Sequence, residues 1–327
     1  MRDSFGRMIT YLRLSVTDRC DLRCTYCMPE RMRFAPRRDL LSLDELDRVA
    51  SCFISAGVRK LRLTGGEPLV RKGIVDLARG LSRHRRSGAL DELTLTTNAS
   101  QLAAHAEALA AAGIERINVS LDHLDPDRYR RITRGGDLAA ALAGIEAAQA
   151  AGICVKLNAV VLREDNLDHL PDLIGWAHDR GMAVSLIEVM PIGDVGVDRL
   201  RQHVPMPEAR GRIEARWPLA DIAMRTGGPA RYARTAAGGV VGFITPLSQM
   251  FCEGCNRVRV SADGKLHACL GREVATDLTP ALRNQGDDRA LEAAIARLVE
   301  AKPRSHDFRI APRSRPAVAR TMSATGG

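Results

Sequence analysis

The stretch YLRLSVTDRCDLRCTYCMPE, residues 11–30, decides how the chain is organised. Apolar and polar side chains alternate through its first part, Tyr11–Thr17, which predicts a strand with one apolar face and one polar face. Three cysteines follow directly after this strand: Cys20, Cys24 and Cys27. The stretch therefore predicts a strand that carries a group of thiols at its carboxyl end.

Five further strands are predicted along the chain, separated by Ala- and Leu-rich helical stretches, with a period of roughly 30 residues. The six strands are predicted at Tyr11–Thr17, Lys60–Thr64, Leu93–Thr97, Arg116–Asp122, Cys154–Leu162 and Ala183–Val189. Six consecutive strand–helix units predict a parallel sheet. Such a sheet either curves into part of a barrel or stays open and doubly wound.

The polar faces of these strands favour the barrel. Five of the strands place polar side chains on one face, and these side chains include Arg13, Arg62, Thr96, Ser120 and Lys156. Helices on both sides of an open sheet would bury the charges at a large cost in free energy. A curved sheet would instead turn them towards a ligand in its lumen. We therefore predict an α/β fold with a partial (β/α)6 TIM-like barrel whose inner wall binds a polar molecule.

The strand–helix pattern stops after Val189, where the sequence becomes rich in Pro, Gly and Arg. We place a domain boundary near residue 192. Residues 1–192 then form the predicted barrel, and residues 193–327 form a C-terminal domain. Two hairpins and a helix over residues 288–301 are predicted in this second domain.

The composition of the chain narrows the classes of molecule that it is expected to bind. The net charge of +9 favours an anionic partner, either nucleic acid or a phosphorylated metabolite. Aromatic residues make up only 4% of the chain, so stacking surfaces for single-stranded nucleic acid are scarce. The sequence contains neither a run of apolar residues long enough to span a membrane nor the pattern of a signal peptide. We therefore expect a cytoplasmic protein without a membrane partner.

Six of the eight cysteines fall into two groups of three, which is typical of metal binding where thiols stay reduced. The first group has the spacing C-x3-C-x2-C and stands on the rim where barrel active sites assemble. Three thiolates would leave one iron of a [4Fe–4S] cluster open to an external ligand. The alternative is a zinc ion completed by a distant histidine. The two other cysteines, Cys52 and Cys154, are expected to be buried as small apolar side chains.

The second group consists of Cys252, Cys255 and Cys269. It spans the second predicted hairpin, in which Asp263–Gly264 is a strong signal for a two-residue turn. Pairing across that turn brings Cys269 opposite Val258 and back towards the other two thiols. His267 could complete a zinc site with three cysteines. We expect its side chain to point away from Cys269, and we therefore favour a second [4Fe–4S] cluster with an open iron.

The first cysteine group, with Tyr26 before its last cysteine, resembles the motif of the radical S-adenosylmethionine superfamily. LTGGEPLVR, residues 63–71, resembles the GGEP element that holds the methionine amino group in that superfamily. The resemblance implies that S-adenosylmethionine binds the open iron of the first cluster. One electron then cleaves this cofactor to methionine and a 5′-deoxyadenosyl radical.

Within the superfamily, the chain resembles the GTP 3′,8-cyclases of molybdenum cofactor biosynthesis. The matching motifs extend from LRLSVTDRCDLRCTYCMP through RINVSLD and IEVMPIG to FCEGCNRVRVSADGKLHACL and the final GG. The resemblance implies contacts with S-adenosylmethionine from Tyr26, Gly66, Ser120 and Met190. It implies contacts with GTP from Arg13, Arg62, Thr96, Lys156, Arg257, Val258 and Arg259. It also assigns both cysteine groups to [4Fe–4S] clusters, the second of which binds the purine of GTP.

The reaction implied by this resemblance converts GTP to (8S)-3′,8-cyclo-7,8-dihydroguanosine 5′-triphosphate. The radical takes the 3′ hydrogen, C3′ attacks C8 of the guanine, and an aminyl radical is then reduced. Arg13, Arg257 and Arg259 are the implied catalytic residues, because they would stabilise the developing charge. The two terminal glycines, 326 and 327, are implied to be a finger that enters the active site.

The implied partners are GTP, a cyclic pyranopterin monophosphate synthase that takes the product, an electron donor such as flavodoxin or ferredoxin, and a second copy in a homodimer. Nucleic acid is not among them. Two other readings remain open. One is another two-cluster radical enzyme, such as a peptide maturase. The other is a zinc protein that binds nucleic acid, for which the positive charge is the argument.

Overall fold

Twelve strands join into one sheet in the computed structural model of the chain, which describes residues 1–283, 288–311 and 315–326. In chain order the strands are β1 Tyr11–Ser15, β2 Lys60–Thr64, β3 Glu92–Thr97, β4 Arg116–Ser120, β5 Cys154–Val161, β6 Ala183–Glu188, β7 Leu219–Ile222, β8 Arg231–Thr235, β9 Val240–Ile244, β10 Arg257–Val260, β11 Lys265–His267 and β12 Ala275–Asp277. Their spatial order is β12-β11-β10-β1-β2-β3-β4-β5-β6-β9-β8-β7. Within the described ranges, no helix has the length and apolar character needed to cross a membrane.

The six central strands confirm the predicted barrel architecture. β1 to β6 are parallel and lie side by side in the order in which they occur along the chain. A doubly wound sheet would reverse direction at a switch point, and this order contains none. The predicted strands differ from the observed ones by at most two residues at either end.

Helices follow most of the central strands. The helices are α1 Leu43–Ser55, α2 Ile74–Arg86, α3 Ala106–Ala111, α4 Pro126–Thr133, α5 Leu138–Ala150, α6 Leu170–His178, α7 Arg199–Gln202, α8 Met206–Glu214, α9 Thr279–Arg283, α10 Asp288–Glu300 and α11 Met322–Thr325. α1 begins with a reciprocal cap, in which Glu45 N donates to Ser42 Oγ over 3.1 Å and Ser42 N donates to Glu45 Oε2 over 2.7 Å. We did not predict α4, although Asp125 followed by proline is an ordinary helix start.

The two faces of the central strands differ as the alternation predicts. Apolar side chains such as Leu14, Leu63 and Val119 are fully buried in one continuous core shared with the helices. The polar side chains occupy the opposite face and align in lateral rows across neighbouring strands. One row contains Thr96, Asn118 and Lys156, and another contains Ser120, Asn158 and Ser185. The inner wall of the curved sheet is therefore polar along its length.

Strands from the C-terminal part of the chain extend the sheet at both edges. β9 pairs in parallel with β6, and β10 pairs in parallel with β1, with Arg259 in register with Arg13. β7 and β8 continue one edge in antiparallel fashion, and β11 and β12 continue the other. The two predicted hairpins are both present, but each is attached to the barrel through one of its strands.

Three predictions are wrong: the register of the second hairpin, the orientation of the His267 side chain and the burial of Cys154. Arg259 pairs with His267, so the register of the second hairpin is shifted by one residue from the predicted register. The shift arises because the turn contains three residues instead of two, with Gly264 at a φ of +83°. His267 lines the same cavity as Cys269, since residues two apart on an extended segment share a face. Cys154 is exposed at the start of β5, whereas Cys52 is buried as expected.

Candidate active site

Two adjoining cavities occupy the lumen of the barrel. The upper cavity lies at the carboxyl ends of the central strands and is lined by Cys20, Cys24, Cys27, Tyr26, Gly65, Gly66, Thr96, Ser120 and Met190, among others. The lower cavity lies towards their amino ends and is lined by Arg13, Arg62, Lys156, Arg257, Arg259, Cys252, Cys255 and Cys269, among others. Asn158, Ile187, Met190 and Met322 line both cavities. Each cysteine group therefore faces one end of a shared lumen.

The loop that carries the first cysteine group is fixed by short local hydrogen bonds. Cys27 N donates to Cys24 O over 2.9 Å, which closes a turn between the second and third thiols. Arg23 Nη1 donates to Cys20 O over 2.6 Å. Burial is the main cause of a raised pKa at all three thiols, and it raises the pKa of Cys27 to about 12. Metal binding here would displace protons, because only thiolates ligate iron.

Gly65 and Gly66 allow the end of β2 to lie against the cysteine loop. Gly66 N donates to Thr17 O over 2.8 Å, and Glu67 N donates to Arg19 O over 2.8 Å. A Cβ atom on Gly66 would collide with the carbonyl oxygen of Arg19, the residue before the first cysteine. The glycine is therefore required by a close approach of two backbone segments.

Glu67 ties the same segment to β3, a role that sequence reasoning missed. Its buried carboxylate accepts hydrogen bonds from Leu69 N over 3.0 Å, from Thr97 Oγ1 over 2.7 Å and from Asn98 N over 2.7 Å. Burial raises the pKa of Glu67 to about 7, although these hydrogen bonds favour the carboxylate.

Tyr26 is held by a second buried carboxylate. Its hydroxyl donates to Asp122 Oδ2 over 2.7 Å, and Val160 N donates to Asp122 Oδ1 over 2.8 Å. Burial raises the pKa of Asp122 to about 6, against the effect of both hydrogen bonds. We expected Asp122 only as part of a polar strand face, and its contact with Tyr26 across the barrel has no signature in the sequence.

The lower cavity concentrates positive charge. Arg62 Nε donates to the Tyr11 hydroxyl over 2.6 Å, and Arg62 Nη1 donates to Thr96 Oγ1 over 2.9 Å. Lys156 Nζ donates to the Tyr232 hydroxyl over 2.8 Å. Thr96 thus lines the upper cavity while it contacts an arginine of the lower one.

The floor of the lower cavity contains groups that sequence reasoning did not select. Lys60 Nζ lies 2.7 Å from Glu92 Oε2, and Arg116 also pairs with Glu92. Lys60 Nζ donates in addition to Thr226 O over 2.8 Å. A single carboxylate therefore faces two cations, and the lumen keeps an excess of positive charge.

Lowered pKa values of several side chains in the lower cavity reflect this excess of positive charge. Burial, followed by the charges of Arg116 and Arg62, lowers the pKa of Lys156 to about 7. Burial raises the pKa of Tyr11, but Arg62, Arg13 and Lys60 outweigh it and lower that pKa to about 7. Burial is also the main cause of lowered pKa values at Arg13 and Arg259, with further contributions from the neighbouring arginines. An anion in this cavity would relieve the repulsion.

The second cysteine group faces the lower cavity together with two histidines. His306 lines the cavity, and so does His267, whose buried Nδ1 has no hydrogen-bond partner among the described residues. Burial would raise the pKa of Cys255, but Arg257 and Lys302 lower it to about 6. The thiolate form of this ligand is therefore favoured by its surroundings.

The donor sets fit iron–sulfur clusters better than zinc. In the part of the chain that the structure describes, no group of three or more His, Cys, Asp or Glu side chains is arranged to hold a single metal ion. Zinc would require thiolate sulfurs that converge at about 2.3 Å from one point. In a [4Fe–4S] cluster each thiolate binds a different iron, so the sulfurs stand further apart. Three cysteines line each cavity, and such a donor set can bind three irons of a cluster and leave the fourth open.

The C-terminal segment passes through the lumen. Met322 lines both cavities, and Ser323 and Thr325 are buried. Ser323 N donates to the thiol of Cys27. Arg259 Nη1 donates to Gly326 O, and a Cβ on Gly326 would collide with Thr64 Oγ1. Gly327, the second glycine of the expected finger, lies outside the described residues.

All but one of the side chains selected from the sequence line the two cavities. The exception is Val258, whose side chain is 1% exposed and belongs to the hydrophobic core, so that only its backbone can contact a ligand. Sequence reasoning missed several lining residues of the lower cavity, among them Tyr11, Lys60, Arg116 and Tyr232. Lys60 and Arg116 are first residues of central strands, and extending the alternation to those positions would have found them.

Comparison with known proteins adds two family matches. The profile described as the Radical SAM superfamily matches residues 14–177, and the profile described as Molybdenum Cofactor Synthesis C matches residues 182–308. The chain is 58% identical over 329 residues to the GTP 3′,8-cyclase of Rhodopseudomonas palustris (strain TIE-1), covering 100% of this chain and 96% of that protein. It is 57% identical over 328 residues to the GTP 3′,8-cyclase of Nitrobacter winogradskyi, with the same coverage.

Solved structures confirm the fold. Streptococcus suis SuiB bound to S-adenosylmethionine superposes with a TM-score of 0.60 at 15% identity, over 85% of this chain and 64% of the SuiB chain. SuiB bound to its precursor peptide SuiA gives a TM-score of 0.62 at 14% identity, over 91% of this chain and 66% of that chain. The chain thus spans about two thirds of the length of SuiB, and the likeness at this identity concerns the fold alone.

Replacement of Gly66 by alanine tests the close approach at the upper cavity. We expect Gly66→Ala to displace the loop at Arg19 and to reduce iron retention at the first cysteine group by at least half, because the colliding atom is backbone. Iron and sulfide analysis after anaerobic reconstitution measures the loss. Gly211→Ala is the matched control, since a Cβ there meets nothing within 4 Å. Equal iron content in the two variants would contradict the assignment.

Proposed function

Because the chain belongs to the GTP 3′,8-cyclase family of the radical SAM superfamily, we propose that it converts GTP to (8S)-3′,8-cyclo-7,8-dihydroguanosine 5′-triphosphate, the first step of molybdenum cofactor biosynthesis. The observation that carries this proposal is the shared lumen, which has one group of three cysteines at each end and cations between them. Identity of 58% over the whole chain to a GTP 3′,8-cyclase agrees with it.

The upper cavity is the proposed site of the first [4Fe–4S] cluster and S-adenosylmethionine. Cys20, Cys24 and Cys27 would hold the cluster, whereas Tyr26, Gly66, Ser120 and Met190 would contact the cofactor. When bound, this pair supplies the radical that abstracts hydrogen from the substrate. The contribution of the chain is to orient the cofactor: Asp122 fixes Tyr26, and Glu67 fixes the glycine segment.

The lower cavity is the proposed GTP site. Arginine offers a planar fork of donors to phosphate oxygens, and Arg13, Arg62 and Lys156 surround the space in which a triphosphate would offset their charge. Lys60 and Arg116 extend this cationic wall to the floor. Thr96 would add a contact at the junction of the two cavities, since it already accepts a hydrogen bond from Arg62.

The second cysteine group would place the guanine. Cys252, Cys255 and Cys269 would hold the second [4Fe–4S] cluster, with Arg257, Val258 and Arg259 beside the nucleotide. Because Asn158, Ile187 and Met190 line both cavities, a ribose near them would lie between the two ends of the lumen. Arg13, Arg257 and Arg259 are the proposed catalytic residues, since their fixed positive charges can stabilise electron density that develops on the purine.

A peptide maturase is the weaker alternative. The SuiB structures share the fold, but at 14–15% identity they carry no argument about substrate. Seven cationic side chains from the strands line the lower cavity together with Lys302, which suits a triphosphate better than a peptide; the seven are Arg13, Lys60, Arg62, Arg116, Lys156, Arg257 and Arg259. The zinc-protein reading is disfavoured by the full-length similarity to a GTP 3′,8-cyclase.

Several further assignments are part of the proposal. The division into residues 1–192 and 193–327 stays a proposal; two separate family matches support a chain of two parts, with the second match beginning at residue 182. We propose a cytoplasmic location, supported by eight free cysteines, with a low-potential donor such as flavodoxin or ferredoxin as the source of electrons. A homodimer, and transfer of the product to a cyclic pyranopterin monophosphate synthase, are proposed from the family.

Metal analysis and product analysis test the function. We expect anaerobically reconstituted protein to contain about eight irons, as two four-iron clusters require. With reductant, S-adenosylmethionine and GTP it should form 5′-deoxyadenosine and the cyclised nucleotide.

We expect Cys20→Ser to abolish 5′-deoxyadenosine formation, and Cys252→Ser to abolish formation of the cyclised nucleotide but not cleavage of S-adenosylmethionine. Formation of 5′-deoxyadenosine at equal rates with and without GTP, and no cyclised nucleotide, would contradict the substrate assignment.

Binding of GTP should take up protons near neutral pH. In the free protein the pKa values of Lys156 and Tyr11 are lowered to about 7, and a bound triphosphate favours the charged lysine and the neutral tyrosine. Affinity should therefore weaken as the pH rises from 6 to 9. Calorimetry in two buffers of different ionisation enthalpy measures the uptake. Lys156→Met should lower it, whereas Lys72→Met, a change at an exposed lysine, should not. Proton release by wild-type protein would contradict the placement.

The inserted tail gives a further prediction. Gly326→Ala should prevent insertion, because the added Cβ collides with Thr64 Oγ1 and the backbone φ is +75°. We expect turnover to fall about tenfold or more, equivalent to roughly 1.4 kcal/mol of transition-state stabilisation. Iron content and GTP affinity should stay within twofold of wild type. Gly88→Ala serves as the matched control, since its φ is +72° and an added Cβ there meets nothing within 4 Å. Unchanged turnover in Gly326→Ala would show that the inserted tail has no role in the reaction.

A further inference from the structure

The backbone around the second cysteine group has few regular partners. Cys252 belongs to a single turn of 3-10 helix, and Cys269 follows the short strand β11. Carbonyl groups in such segments need donors from elsewhere, because a buried carbonyl without a hydrogen bond is costly. Three cationic side chains from segments outside the cysteine motif supply these donors: Arg7, Lys302 and Arg320.

Arg7 holds the segment of Cys252. Its Nη1 donates to Cys252 O and to Arg304 O, both over 2.9 Å, and its Nη2 donates to Pro303 O over 2.7 Å. The guanidinium is itself fixed by Asp3, whose Oδ2 lies 2.5 Å from Nε. The side chains of Arg7 and Asp3 are only 8% and 0% exposed, so this ion pair is shielded from solvent.

Asp3 is in turn fixed by the backbone at the start of the chain. Its Oδ1 accepts hydrogen bonds from Phe5 N over 3.0 Å and from Arg7 N over 2.9 Å. Asp3 N also donates to Arg7 O over 3.1 Å, which closes a tight loop. This loop presents the arginine fork in one orientation towards the cysteine segment.

Lys302 and Arg320 hold the other two ligand segments. Lys302 is 2% exposed, and its Nζ donates to Arg257 O over 2.9 Å and to Ala268 O. These carbonyls lie two residues after Cys255 and one residue before Cys269. Arg320 Nη2 donates to Cys269 O over 3.2 Å and to Leu270 O over 2.6 Å.

The charges of these side chains are not all balanced by carboxylates. Arg7 pairs with Asp3, and Arg320 pairs with Glu273 over 2.8 Å. Among the described residues, no carboxylate pairs with Lys302. A buried cation without a counter-charge is costly, and three ligating thiolates in the same region would supply negative charge. The three cations thus suit a cysteine site in its thiolate, iron-loaded form.

We propose that Arg7, Lys302 and Arg320 are positioning residues for the second cysteine site, which orient the ligand segments through backbone carbonyls while their charges favour the loaded site. Their donors are engaged by these carbonyls, so they act through Cys252, Cys255 and Cys269, although Lys302 also lines the lower cavity. The inference rests on the proposed function in so far as that site holds a [4Fe–4S] cluster. It predicts that loss of one cation affects the second site and spares the first.

The test counts iron at each site. Wild-type protein should hold about eight irons after anaerobic reconstitution, and Arg7→Gln and Lys302→Gln should each hold about four. The remaining cluster should still cleave S-adenosylmethionine to 5′-deoxyadenosine, and circular dichroism should match that of wild type. Arg304→Gln is the matched control, because its side chain is exposed and only its backbone carbonyl contacts Arg7. The control should keep eight irons.

Two outcomes would overturn the inference. If Arg7→Gln and Lys302→Gln keep about eight irons, the cations are not needed at the second site. If they lose iron from both sites, the residues serve the fold in general rather than one site. Either result leaves the proposed function standing when wild-type protein has two clusters and cyclises GTP. If wild-type protein holds fewer than two clusters, it is the proposed function that fails.

Discussion

The fold depends on how a parallel sheet accommodates cations on one face. Arg13, Arg62, Arg257 and Arg259 point into the same lumen, where burial and mutual repulsion lower the pKa of Arg13 and Arg259. The opposite face of the same strands is fully apolar and packs on the helices. The hydrophobic core therefore holds charges together that would separate in water. A polyanion in the lumen would offset this repulsion, so the clustered cations suit a bound triphosphate.

The C-terminal part of the chain contributes strands and side chains to the wall of the lumen. β10 pairs with β1 and brings Arg259 next to Arg13, while the segment before it carries two cysteines to the amino ends of the barrel strands. The final residues then thread between the two cavities and reach Cys27 at the upper end. Residues from both ends of the sequence therefore surround one space. This arrangement would place one small molecule between the two cysteine sites.

The alternation of side chains was enough to predict the six central strands, the polar inner wall and most of the cavity-lining residues, because strand periodicity encodes the face of each side chain directly. Alternation did not predict the register of the second hairpin or the contacts between residues that are distant in the sequence. The register of the second hairpin depends on a three-residue turn, which alternation within a strand does not encode. Contacts across the barrel, such as Tyr26 with Asp122 over 2.7 Å, join residues 96 positions apart and leave no local pattern. Val258 was selected by resemblance as a ligand contact, yet its side chain is buried in the core.

The chain contains two kinds of buried cation, one on the strands and one in loops, and the arginine-rich sequence does not distinguish them. Those on the strands face the lumen, and alternation identifies them because a charged residue in a buried strand is unusual. Arg7, Lys302 and Arg320 lie in loops, and their partners are backbone carbonyls, which every residue possesses. A carbonyl partner has no sequence signature, so only coordinates separate these side chains from the many solvated arginines. The difference also has a chemical consequence. A lumen cation faces the cavity in which a substrate phosphate would bind, whereas a cation bonded to carbonyls uses its donors on the backbone and can act on the reaction only by orienting the ligand segments.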